Sequence, residues 1–289
     1  MSKKSHKTNW HEAIYCAIQI DLRDYSHLLE YKKEYTLSAN NNRMDMLIIK
    51  KKSDFKIPKH IASIFRTHNI FENKGAHASL TKSAYYKTNG HAGYYINLYK
   101  GSNLIDRRDI TLTFPTFRYP RKLFTHLTKE CNKTIDNPFP GVYYILNEMY
   151  ATQVLVMNEL SPEDSLFLHC LAGNANDMKL INNLANHYQE NKDNLIYTKY
   201  MNQFVYSHMK GDQLMVCEAI LNYFGTSSEE IEEKTRKQDQ EIYEPQIQRL
   251  TLEKAALSSE NTALSSENTL LHCENDALKQ LLKKHGISY

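Results

Sequence analysis

Leucines return every seventh residue near the end of the chain, at Leu250, Leu257, Leu264, Leu271 and Leu278. Three positions ahead of each stand Ile247, Lys254, Asn261, Asn268 and Asn275. With the leucines as d, the a positions are mostly polar and the g positions are Glu253, Glu260, Glu267 and Glu274. Buried asparagines satisfy one another only between helices that run parallel and in step, so the pattern predicts a parallel homodimeric coiled coil of modest stability. The segment ALSSENT occurs twice in tandem, at 256–262 and 263–269. Pro245 in front and Gly286 behind read as helix start and stop, giving a rod over 246–285 roughly 60 Å long. The alternative is a solvated single helix or a tail without structure, because serine and asparagine are poor helix formers.

Elsewhere the periodicity changes. Residues 10–22 carry Trp10, Ile14, Ala17 and Ile18 on one helical face. A short strand is expected at 34–37, then a polar turn at Asn40, Asn41 and Asn42. Residues 43–50 (RMDMLIIK) form the strongest strand pattern, 70–74 (IFENK) a second, and 79–98 a tyrosine-rich helix. Over 109–116, Ile110, Leu112 and Phe114 alternate with polar residues, as in a half-buried strand. Residues 142–146 and 150–156 read as a hairpin around Asn147 and Glu148. Ser161, Pro162, Glu163 and Asp164 look like a capped helix start. Helical spacing then marks 164–172, 175–189, 194–209 and 212–224, and 227–243 is a charged helix or linker.

A chain of 289 residues with 41% hydrophobic content supports one or two cores plus the tail. No apolar run is long enough to span a membrane, and the lysine-bearing start lacks the apolar segment of a signal peptide, so a cytoplasmic protein with no membrane partner is expected. The five cysteines are scattered without CxxC spacing and read as free thiols. Charge is unevenly divided. Residues 1–133 hold 24 Lys and Arg against 11 Asp and Glu, and residues 134–289 hold 12 against 22. A basic front half attracts phosphate backbones without reading sequence.

Within that basic half, a period of two puts Asp45 on the face of Leu47 and Ile49, and puts Glu72 and Lys74 on the face of Ile70. An acid on a core-facing side of a strand is costly unless paired. On adjacent strands Asp45 and Glu72 can converge with Lys74 beside them. Two carboxylates suit a hard divalent cation that keeps waters in its remaining positions, and a nearby lysine can orient a water or stabilise charge on a phosphate. The bland reading is an ion pair tying two strands together.

The order helix, strand, Asp-bearing strand, ExK-bearing strand, helix resembles the PD-(D/E)XK nuclease superfamily. More closely, the chain resembles the bacterial group of recombination-promoting nucleases and transposase-like proteins. The likeness covers about residues 10–160, with RMDMLIIKKK, IFRTHNIFENK, SLTKSAYYKTNGHAGYY and TFPTFRYPRKL as landmarks. It implies an α/β (α+β) fold, a restriction-endonuclease-like mixed sheet flanked by helices. It also implies hydrolysis of DNA phosphodiester bonds with Mg2+ (or Mn2+). By motif, Asp45 and Glu72 would bind metal and Lys74 would complete the catalytic set. Glu12, in the first helix, is a poorer match to an acid that some members add there: it lies off the apolar stripe and reads more readily as a solvated glutamate. Tyr86 and Lys87 fall where family members place residues that contact the scissile phosphate, with core packing as the other reading for the tyrosine. Arg43 would contact phosphate or pair with Asp45. Met44 stands where the family motif has proline, and SAYYK lacks an acid that close relatives carry near the start of that helix.

The expected organisation is a nuclease-like domain over 1–160, a helical region over 161–226, a charged linker over 227–245 and the coiled coil over 246–285. The expected function is a metal-dependent DNA endonuclease dimerised by its zipper. The alternative is a catalytically silent nuclease fold that binds nucleic acid or protein. A zipper transcription factor is disfavoured because Glu229–Glu233 and Pro245 interrupt any basic helix leading into the leucines.

Overall fold

The computed structural model describes residues 9–37, 43–52, 54–99, 105–172, 177–208 and 228–285. The expected turn at Asn40, Asn41 and Asn42, the helix at 212–224, Cys217 and Gly286 lie outside them. The chain divides into two units, Met1–Thr235 and Arg236–Tyr289.

In the first unit the elements run α1 (Trp10–Asp21), β1 (Leu29–Thr36), β2 (Arg43–Lys50), β3 (His68–Phe71), α2 (Lys82–Leu98) and β4 (Ile110–Thr116). They continue with α3 (Arg121–Lys129), β5 (Thr134–Phe139), β6 (Val142–Leu146), β7 (Ala151–Val156), α4 (Leu166–Ala172), α5 (Met178–Glu190) and α6 (Leu195–His208). The strands form one mixed sheet of seven in the order β1-β2-β3-β4-β7-β6-β5. The β3–β4 and β4–β7 pairs are parallel and the others antiparallel.

Alternation along β2 separates two cores. Met46 and Ile48 join the layer of α1, α4, α5 and α6, while Leu47 and Ile49 pack with α2 and α3 on the opposite face. Strand β4 runs between both layers. All seven of its residues are buried, not the half expected from its alternating pattern. The polar half is accommodated by hydrogen bonds: Arg66 N–H donates to Thr111 Oγ1 at 2.9 Å and Gln153 Nε2 to Thr113 Oγ1 at 3.1 Å.

Helix α1 is capped by Asn9, whose side chain accepts from the Glu12 N–H. At its other end the buried carboxylate of Asp21 accepts the Phe167 and Leu168 N–H groups, both at 3.0 Å, and so caps α4 from across the fold. The helix start expected at Ser161 is a turn instead. Ser161 O takes the N–H groups of Asp164 and Ser165, and α4 begins at Leu166.

The helix α7 (Ser228–Lys284) extends through the second unit. It is continuous through Pro245, so the proline does not start it, and 228–245 is helical. A mid-helix proline removes one backbone hydrogen bond and costs about 3 kcal/mol. The heptad leucines are about half exposed, from Leu264 and Leu271 at 49% to Leu257 at 60%. No helix among the described residues is long and apolar enough to cross a membrane.

Candidate active site

The β2–β3 register pairs Met46 with Phe71. One step further sets Asp45 opposite Glu72, where β3 leaves its ladder with β2 but stays tied to β4. Glu72 N–H donates to Thr113 O and Lys74 N–H to Pro115 O, each at 3.1 Å. The ExK segment is thereby held at the carboxyl end of β3, beside that of β4.

Both carboxylates are shielded, with side-chain exposures of 18% for Asp45 and 9% for Glu72. Asp45 Oδ2 accepts the Asn73 N–H at 2.7 Å and lies 3.3 Å from His11 Nδ1. Lys74 Nζ is 2.6 Å from Glu72 Oε1. The second oxygen of each carboxylate carries no protein hydrogen bond among the described residues. Asp45, Glu72 and Lys74 thus share one edge of the sheet, and His11, at the start of α1, closes on them from above.

The hydrogen bond to Asp45 raises His11 above the ordinary imidazole range; burial opposes this, Asp45 and Glu72 add to it by charge, and Lys74 subtracts. A second histidine, His91 of α2, lies within electrostatic range of the pair. Burial pushes His91 below its ordinary value and Lys87, one turn back, pushes the same way, while Glu72 and Asp45 pull it up. Its Nδ1 is buried without a hydrogen-bond partner, as are both amide atoms of Asn73. Gly75 ends the segment, and a Cβ there would lie 2.5 Å from Trp10 Cδ1. Only glycine permits this close approach, which locks the strand exit against the residue preceding His11.

Other sequence candidates have different partners. The Glu12 carboxylate is not solvated: it bonds the Lys33 ammonium of β1 and accepts from Cys16 Sγ. Arg43 Nη1 lies 3.2 Å from Glu34 Oε2 across the β1–β2 pair rather than against Asp45. Glu34, opposite Asp45 in register, has a left-handed backbone with φ of +49°. Tyr86 turns toward α3, where its hydroxyl is 2.9 Å from His126 Nε2 and 3.4 Å from Cys131 Sγ. The Cys131 hydrogen bond, with a contribution from desolvation, pushes that phenol up to about 12. Lys87 is exposed on the side of α2 that carries His91.

Sequence reading missed His11, His91 and Asn73. His11 and Asn73 adjoin named candidates, at the positions next to Glu12 and between Glu72 and Lys74; nothing in the periodicity marks His91. No group of three or more His, Cys, Asp or Glu side chains disposed to hold a metal occurs among the described residues. The cluster offers two carboxylates, Asp45 and Glu72, a pair of a kind that can hold magnesium, which commonly takes one or two carboxylates and keeps waters or substrate phosphate oxygens elsewhere. Compared with known proteins, the chain matches no family model, no curated protein and no solved structure.

Proposed function

We propose that the chain is a metal-dependent nuclease that hydrolyses DNA phosphodiester bonds at Asp45, Glu72 and Lys74. The observation that carries this reading is the β2–β3 register, which sets two shielded carboxylates opposite one another with a lysine 2.6 Å from one of them. Asp45 and Glu72 would hold Mg2+ (or Mn2+) through their free oxygens. When bound, the ion makes a water easier to deprotonate and offsets phosphate charge. Lys74 would supply a positive charge to the scissile phosphate as negative charge builds there. His11 and the Asn73 N–H both engage Oδ2 of Asp45, which would leave Oδ1 for the ion. The exposed leucine stripe of α7 supports a further element of the proposal, a parallel homodimer that presents two such sites to one duplex.

A second reading is that the cluster is a charge-balanced structural tie in a nucleic-acid or protein-binding module. It is favoured by the engagement of both acids with neighbouring side chains, Asp45 with His11 and Glu72 with Lys74. Incubation with plasmid DNA and magnesium decides between them. The nuclease should nick or linearise plasmid, and Asp45→Asn and Lys74→Ala should each slow this about 100-fold or more. Cutting that survives either substitution defeats the site assignment. Absence of cutting, with no magnesium-induced rise in thermal stability, favours the structural tie.

A further inference from the structure

Two chain segments leave the sheet beside the acid pair, one two residues beyond Lys74 and the other two residues beyond the end of β4. Together 76–81 and 118–122 enclose a cavity of about 430 Å³. Its charged lining is entirely basic: Arg118, Arg121 and Lys122, with His77 at the edge. None of the three cations pairs with a carboxylate among the described residues, and the three are gathered in one concave site. Unpaired guanidinium groups gathered in a concave site lower their mutual repulsion by taking up an anion, and their planar donors match phosphate oxygens.

Between the arginines stands Tyr119. Its ring is 44% exposed and is held edge-on by Phe124 at 5.0 Å and Tyr143 at 5.3 Å between centroids. Such a fixed aromatic face is useful to a base only when that base is unstacked, since a duplex hides its bases. The cavity has the volume of a small-molecule pocket, the size of a nucleotide rather than of a double helix.

We infer that this groove binds a single strand of nucleic acid, with phosphates on Arg118, Arg121 and Lys122 and a base stacked on Tyr119, and leads that strand to the acid pair. The inference rests on the nuclease reading for its direction of travel. Binding itself does not require catalysis, so the two can fail separately.

The test is fluorescence anisotropy of the full chain in EDTA, which prevents cutting, with labelled oligothymidylate, oligouridylate and a mixed-sequence duplex. The single strands should bind more tightly than the duplex, and the thymidylate and uridylate arms show whether the groove distinguishes DNA from RNA. Tyr119→Ala should weaken single-strand binding about 5- to 150-fold while Tyr119→Phe retains it. Arg118→Ala and Arg121→Ala should each reduce the slope of log affinity against log salt by about 0.7. Circular dichroism and melting of each variant verify folding. Equal binding of single strand and duplex, or unchanged binding by folded Tyr119→Ala, overturns the inference, as does an unchanged salt slope in both arginine variants. Retained single-strand binding with neither plasmid nor the labelled oligonucleotides cut in magnesium leaves the groove standing and removes the nuclease.

Discussion

Asp21 shows how one side chain ties distant parts of this fold together. Burial pushes its carboxyl up to about 7 from an ordinary 3.8, against the lowering effect of the Leu168 and Phe167 N–H groups and of Lys59. Because the folded value is raised, the stability this group contributes is full below about pH 3.8 and is lost as pH rises through about 7. Thermal melts from pH 5 to 8 should therefore show wild type losing stability relative to Asp21→Asn, whose amide does not titrate; a flat difference between the two profiles contradicts the assignment. Gly141 is the second residue with a sharp expectation. Its φ of +70° is left-handed, and a Cβ would approach Leu160 N to 2.6 Å and Glu159 C to 2.7 Å, both backbone atoms that cannot yield locally. Gly141→Ala should cost more than about 2 kcal/mol in denaturant unfolding.

At the scale of elements, the sequence displayed those whose side chains keep a regular period and obscured those whose burial or extent depends on tertiary partners. Strand β2 is legible to the residue because Leu47 and Ile49 face one core and Met46 and Ile48 the other. Strand β4 alternates in type but not in burial, since Thr111 and Thr113 are enclosed by tertiary hydrogen bonds that spacing cannot reveal. Helix α3 went unread because its apolar stripe is only Leu123, Phe124 and Leu127 in a basic stretch, and β5 because Pro138 and polar residues mask it on the sheet edge. The candidate site followed the same rule. Asp45, Glu72 and Lys74 were visible because strand periodicity aligns them, whereas His11 and His91 arrive from helices packed on the sheet. For α7, periodicity gave the leucine stripe but not the start, since 228–244, ahead of Pro245, is helical with only Ile231, Ile242 and Tyr243 among fourteen charged and polar residues. A chain ending at Tyr243 should sediment as a monomer where the full chain sediments as a dimer. A shortened chain that remains dimeric shows that the leucines are not what pairs it.

For the molecule as a whole, the division of charge has a structural counterpart. The basic residues of 1–133 include those of the groove, and the net negative 134–289 contains α4 to α7. Every group in the acid cluster comes from residues 11–91, while the helices that enclose α1 come from 166–208. The antiparallel β1–β2–β3 meander is built from near neighbours, whose loops close at little entropic cost, so it can form early; β4 with β7 and the Asp21 cap join segments far apart and come late. During that interval two carboxylates would face each other in a half-made protein. The spacing of Glu72 and Lys74 in one short segment removes the difficulty for one of them: its counter-charge travels two residues away along the same chain and is present at every stage of folding. The position of the lysine would therefore serve the assembly of the sheet as well as its edge; Asp45 has Arg43 at the same spacing, but that guanidinium pairs with Glu34, and the side chain that meets Asp45 is His11 of α1.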